Sequence, residues 1–177
     1  MCIRDRDYIN SHYVIMATKM GQVKKTSLEQ YSRPRSNGIN AITIKDNDEL
    51  LEAKLTNGSS QIMLAVKSGK AIRFEESKTR PMGRNASGVR GIRLKDKSDE
   101  VIGMVSVKDM DENILVVSEN GYGKRSSLED YRLTNRGGKG VKTISITEKT
   151  GKLVTIKSVS DNAVSYTHLT LPTIYSV

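Results

Sequence analysis

The chain has 177 residues, with 29 Lys plus Arg against 20 Asp plus Glu, a formal net charge of +9 and one cysteine, Cys2. A cationic surplus of that size favours an anionic partner such as nucleic acid, while a lone cysteine excludes an internal disulfide framework and a cysteine-based metal site. No apolar run approaches the roughly eighteen residues of a membrane span and no signal-peptide pattern is present, so the expected setting is the cytoplasm.

The two ends read as foreign to the rest. Met1-Cys2-Ile3-Arg4-Asp5 can be encoded as ATG TGT ATA AGA GAC, and the reverse complement of that string translates in frame to Val-Ser-Tyr-Thr-His, the sequence of Val164 to His168. Residues 1–6 and 164–177 are therefore expected to be translated sequencing adapter, to be kept out of fold reasoning. His168 and Cys2 fall within them.

Between the ends, in chain order, one pattern occurs three times. Apolar, strand-like runs at Tyr13 to Ala17, Ile62 to Val66 and Ile114 to Val117 each lead to a glycine, Gly21, Gly69 and Gly121, spaced 48 and 52 residues apart. A more basic run follows each glycine, so the pairs predict β-hairpins. Only short helical turns fit the next segments, of which Lys25-Thr26-Ser27-Leu28-Glu29-Gln30-Tyr31 and Arg125-Ser126-Ser127-Leu128-Glu129-Asp130-Tyr131 match most closely. Gly38, Gly88 and Gly140 then precede Ile42-Thr43-Ile44, Ile92-Arg93-Leu94 and Ile144-Ser145-Ile146, whose alternation predicts half-buried strands. Polar turns lead to the last strands, predicted at Leu50 to Leu55, Val101 to Val107 and Leu153 to Ile156.

Four short strands per unit of about fifty residues predict an all-β fold of propeller-like blades in an open arc, divided at 7–60, 61–111 and 112–163. Three such units do not close a ring, so exposed blade faces are expected at both ends of the arc. With no Trp and one Phe, Phe74, the aromatic signatures of WD-type blades are missing.

Charge sorts by loop. Basic residues recur in each hairpin and the loop after it: Lys24, Lys25, Arg33 and Arg35; then Arg73, Lys78, Arg80 and Arg84; then Lys124, Arg125, Arg132, Arg136 and Lys139. Acidic clusters occupy the other turns, at Asp46 to Glu49, Asp96 to Glu100 and Asp109 to Glu112. If equivalent loops occupy equivalent places, one edge is a basic stripe suited to a long, curved polyanion. Contacts of that kind go to phosphates, depend steeply on salt and carry little sequence information.

Gly121-Tyr122-Gly123-Lys124-Arg125, the run from Met82 to Leu94, and Asn135-Arg136-Gly137-Gly138-Lys139-Gly140-Val141-Lys142 resemble blade segments of the C-terminal DNA-wrapping domain of the DNA gyrase A subunit, over nearly all of residues 13–160. The resemblance implies a β-pinwheel, usually of six blades that exchange strands, with a basic perimeter that wraps double-stranded DNA. It implies as partners the rest of the gyrase A subunit and, beside it, the gyrase B subunit. It also places the DNA-breaking tyrosine and the use of ATP and Mg in other domains or subunits, leaving this chain without catalytic residues, metal or cofactor. Arg136-Gly137-Gly138-Lys139-Gly140 resembles the family's glycine- and arginine-rich box, but Thr134-Asn135 lack the usual glutamine before it and the motif falls in a late blade. Two other readings stay open: the related domain of the topoisomerase IV A subunit, and a propeller whose basic edge binds an acidic protein.

Other chemistry finds no pattern. Asp109-Met110-Asp111-Glu112-Asn113 opens like a calcium loop, but Ile114 and Asn120 replace the required glycine and glutamate. No GxxxxGK[ST] run occurs, and His12 has no metal-ligand spacing around it.

Overall fold

A computed structural model describes residues 11–107 and 111–160. The adapter-like ends lie outside these residues, as do Asp109 and Met110.

Among the described residues eleven strands form three antiparallel sheets. Each unit opens with a hairpin: β1 (Tyr13–Thr18) with β2 (Gln22–Ser27), β4 (Gln61–Val66) with β5 (Lys70–Glu75), and β8 (Asn113–Ser118) with β9 (Gly123–Ser127). The glycine of each tight turn has positive φ, +79° at Gly21 and +80° at both Gly69 and Gly121, as a short hairpin loop with a left-handed residue requires. Short 3-10 turns follow at Leu28–Tyr31, Glu76–Lys78 and Leu128–Asp130. The last strands, β3 (Leu50–Thr56), β7 (Val101–Val107) and β11 (Leu153–Val159), pair back onto the first strand of their own hairpins.

The fourth strand of a sheet comes from the unit after it. Two-residue strands β6 (Val89–Arg90) and β10 (Val141–Lys142) join β2 and β5, giving the orders β3-β1-β2-β6 and β10-β5-β4-β7, while the third sheet has three strands, β11-β8-β9. The alternating segments at Ile42–Ile44, Ile92–Leu94 and Ile144–Ile146 are not strands, contrary to the sequence expectation. Ile92 is fully buried and Ile42, Leu94 and Ile144 are half-buried, but Ile44 and Ile146 are exposed, and the amides at the start of the second and third segments bond turn carbonyls rather than a ladder. Gly91 and Ile92 donate to Gly21 O, and Thr143 and Ile144 to Gly69 O.

Two apolar layers hold the sheets in series. Ile15, Ala17 and Val23 of the first sheet meet Ile62, Leu64, Val66, Ile72 and Phe74 of the second, with Ile92 between them. On its other face the second sheet presents Met63, Ala65, Ala71, Val105 and Val107 to Ile114, Val116, Leu153 and Ile156 of the third. The Ile62-Met63-Leu64-Ala65-Val66 run of β4 is thus apolar at every position because successive side chains serve opposite layers. Among the described residues no helix is long and apolar enough to cross a membrane.

Candidate nucleic-acid interface

The loops after the second and third hairpins each lie against the 3-10 turn of the unit before. Arg84 N donates to Gln30 Oε1 at 3.2 Å, and Thr43 Oγ1 to Asn85 O at 2.8 Å, joining the first and second units. Arg136 makes the equivalent junction one unit on, donating from Nε to Lys78 O at 2.9 Å and from Nη1 to Arg90 O at 3.3 Å. Counting from Gly38, Gly88 and Gly140, position −4 is Pro34, Arg84 and Arg136, and position −8 is Gln30, Arg80 and Arg132. Arg33, Arg35, Lys78, Arg80, Arg84, Arg132, Arg136 and Lys139 lie on the loops and turns that follow the three hairpins, and Arg84 and Arg136 sit at the junctions between units. Arg84 and Arg136 are half-buried and the others exposed.

Three residues expected on the stripe are inside the protein instead. Lys24 is fully buried and donates from Nζ to Ala41 O and Arg84 O. Burial, and secondarily the nearby Arg84 charge, lowers its pKa below the usual lysine value. Lys25 is 4% exposed, pairs with Glu76 Oε1 at 3.0 Å and lies 4.1 Å from the centre of the Tyr13 ring. Arg73 is half-buried, donating to Gln61 Oε1 at 2.6 Å and to the carbonyls of Leu128 and Tyr131 at 2.8 and 3.1 Å. The hairpin registers make Lys25, Arg73 and Arg125 equivalent, opposite Ile15, Met63 and Leu115. In the first two units that cation latches onto the 3-10 turn of the next unit, because the neighbour's packing removes it from water and supplies acceptors. Lys124 and Arg125 are exposed on β9, the edge strand of the third sheet.

Other exposed cations escaped the sequence reading. Arg90 and Lys142 lie two residues beyond Gly88 and Gly140, an alignment that would have revealed them. Lys70, Arg93, Lys95 and Lys139 line a cleft of about 220 Å³ with Ser68 and Asp99. Within it the Asp99 carboxylate accepts from Ser68 N, Ser68 Oγ and Lys95 N. The acidic turns are likewise engaged locally. Lys19 pairs with Glu49 at 2.6 Å and Lys67 with Glu100 at 2.7 Å, and the Lys67 hydrogen bond holds Glu100 below the usual carboxylate pKa.

Repeating antiparallel sheets that exchange a strand between neighbours define a propeller-like repeat domain of the β-pinwheel kind. The model of the DNA gyrase C-terminal domain, beta-propeller, matches residues 12–57, 61–108 and 112–160, and the chain belongs to that family. It is 47% identical over 149 residues to the DNA gyrase A subunit of Staphylococcus epidermidis and 46% identical over 150 residues to that of Staphylococcus aureus. Both alignments cover 84% of this chain but only 17% of the relative. Among solved structures, the C-terminal domain of DNA topoisomerase IV superposes with a TM-score of 0.82 at 26% identity, covering 88% of this chain and 49% of that one. The DNA gyrase A C-terminal domain superposes with a TM-score of 0.74, also at 26% identity, covering 87% and 51%.

Proposed function

We propose that the chain is a DNA-wrapping part of the A subunit of a bacterial DNA gyrase. The strip of Arg33, Arg35, Arg80, Arg84, Arg132, Arg136 and Lys139 receives the phosphates of a bent duplex. The observation that carries this reading is that the Gln30–Arg84 and Lys78–Arg136 junctions bring a basic loop of one unit against the 3-10 turn of the unit before it, some fifty residues away in sequence. Bending a site of 20–30 base pairs costs of order 1–6 kcal/mol, offset by the phosphate contacts the bend allows. Arg136 and Lys139 supply charge beside glycines that seat the loop on the unit before it, where Gly137 N donates to Gly91 O at 2.6 Å. In the parent enzyme, wrapping supports ATP-dependent negative supercoiling together with the B subunit, with strand cleavage and the use of ATP and Mg placed elsewhere. The sequence relatives, both of them gyrase A subunits, favour this reading over topoisomerase IV.

The test is duplex binding across a salt series, with an Arg33→Glu, Arg80→Glu, Arg132→Glu variant alongside; all three positions are exposed. Each lost phosphate contact lowers the magnitude of the log–log salt slope by about 0.9, so the triple variant should lose roughly 3. Wrapping is read separately, as a linking-number change when nicked circles are sealed in the presence of the chain. A folded chain that binds no duplex even at low salt overturns the proposal and favours an acidic protein partner.

A further inference from the structure

The 220 Å³ cleft beside the second hairpin turn gathers cations from three segments: Lys70 of β5, Arg93 and Lys95 of the loop before β7, and Lys139 of the third unit. Main-chain bonds fix its walls. Arg93 N donates to Gly138 O at 2.8 Å, holding the third unit's loop against the second, and Ser68 N and Lys95 N donate to the Asp99 carboxylate at 3.0 and 3.2 Å. Asp99 is 5% exposed and is the one acidic residue of the lining, and the Ser68 hydroxyl also donates to it at 2.8 Å. Its carboxylate is thus engaged by neutral donors. Among the described residues none of the four cationic side chains forms a salt bridge or donates a hydrogen bond within the protein. A cleft lined by one sign of charge focuses its field and concentrates the opposite ion.

The cluster is not repeated from unit to unit. The bond from Ser68 N to Asp99 recurs one unit earlier as Met20 N to Asp48 Oδ1 at 2.9 Å, which makes Met20 and Gln22 the counterparts of Ser68 and Lys70. Lys139 stands before Gly140 as Ser87 stands before Gly88, and in the third hairpin the corresponding turn residues are Asn120 and Tyr122. The cleft beside the first turn also carries two carboxylates in its lining, Asp46 and Asp48. Contacts to a wrapped duplex recur at equivalent positions, as Arg80 and Arg132 do. A cation cluster present at one turn alone is fitted instead to a discrete ligand.

We propose that this cleft binds a diphosphate group, as free pyrophosphate or as the phosphate chain of a nucleotide. A phosphodiester of DNA brings one negative charge, whereas a terminal phosphate brings about −1.5 to −2 at pH 7 and a diphosphate adds a second charged group to it. The four cations exceed the single carboxylate by three charges, which suits the diphosphate. Arg93 supplies a planar fork for two oxygens of one phosphate, and Lys70, Lys95 and Lys139 supply point charges for the other oxygens. The site shares only Lys139 with the residues proposed to receive duplex phosphates.

Isothermal titration calorimetry of the full chain in magnesium-free buffer tests this, with sodium pyrophosphate, ADP and, as a single dianion, sodium sulfate. Pyrophosphate should saturate at one per chain and bind at least about tenfold more tightly than sulfate, since it reaches at least one further cation. Arg93→Gln with Lys95→Gln, both at exposed positions, removes two charged contacts worth about tenfold or more each, so this double variant should bind pyrophosphate at least about a hundredfold more weakly. Lys70→Gln, which matches the first unit's Gln22, is an independent variant with an expected loss of about tenfold or more. ADP binding more tightly than pyrophosphate assigns the site to a nucleotide, and equal or weaker ADP binding assigns it to the free anion. The salt slope of duplex binding by the double variant should equal that of wild type. Pyrophosphate binding that does not saturate, or that is equal in wild type and both variants, overturns the proposal. A duplex salt slope that falls by about 0.9 for each charge removed also overturns it, by assigning the cleft to the DNA backbone.

Discussion

Replacing Lys25 by Met separates a structural cation from a phosphate contact. In the folded chain Lys25 and Glu76 have side chains 5% and 0% exposed, 3.0 Å apart, with Thr56 Oγ1 also donating to Glu76 Oε1 at 2.7 Å. Glu76 Oε2 has no hydrogen-bond partner, so without Lys25 the buried carboxylate retains the Thr56 hydroxyl alone. Removing one member of a buried pair costs about 3–5 kcal/mol, a large share of the roughly 5–15 kcal/mol that stabilises a typical domain. A double variant, Lys25→Met with Glu76→Leu, should recover most of that loss, because the desolvation of both charges disappears with the pair. Guanidinium denaturation followed by far-ultraviolet circular dichroism measures the three proteins against wild type, with an unchanged m-value showing that the same surface unfolds. Under conditions where the variants are folded, the salt slope of duplex binding should equal that of wild type, whereas Arg80→Gln should lower it by about 0.9. A Lys25→Met protein within about 1 kcal/mol of wild type, or one whose salt slope falls, refutes the assignment of Lys25 to the inter-unit latch.

Arg73→Met should likewise destabilise the chain, by about 1.5–3 kcal/mol for each charged hydrogen bond whose loss leaves a buried acceptor unsatisfied, without lowering the salt slope. Gly88→Ala combines a φ of +93° with a Cβ 2.7 Å from Val23 O, so it should cost well over the ~1 kcal/mol expected of Gly38→Ala, whose φ is +81° in open space. Comparable losses at the two sites in thermal unfolding would contradict that difference. Lys24 has a folded-state pKa lowered by burial. Between that value and the ordinary lysine value of 10.5 the unfolded chain holds a proton that the folded chain has released, so Lys24 contributes a rise in stability with increasing alkaline pH. Lys24→Met should remove that rise in denaturation midpoints measured against pH, and a variant with an unchanged alkaline slope would show that Lys24 does not titrate there.

Local rules determined the three hairpins, since apolar runs, tight-turn glycines and basic second strands are properties of a dozen adjacent residues. They also located the 3-10 turns and the last strand of each unit, and they placed Arg33, Arg35, Arg80, Arg84, Arg132, Arg136 and Lys139 on exposed or half-buried loops. Tertiary structure decided what depends on a neighbouring unit. Val89–Arg90 and Val141–Lys142 are strands because the hairpin of the unit before them offers an edge, and Ile92–Leu94 is not, because Gly21 O takes its first amide. The same dependence separates residues that look alike in sequence. Lys25 and Arg125 stand in nearly matching heptapeptides, yet Lys25 is buried against Glu76 of the following unit while Arg125 lies exposed on an edge that no described strand covers. A repeat shows in the sequence which residues are equivalent, but the burial of each one depends on what packs against its unit, and that partner is some fifty residues away in the chain.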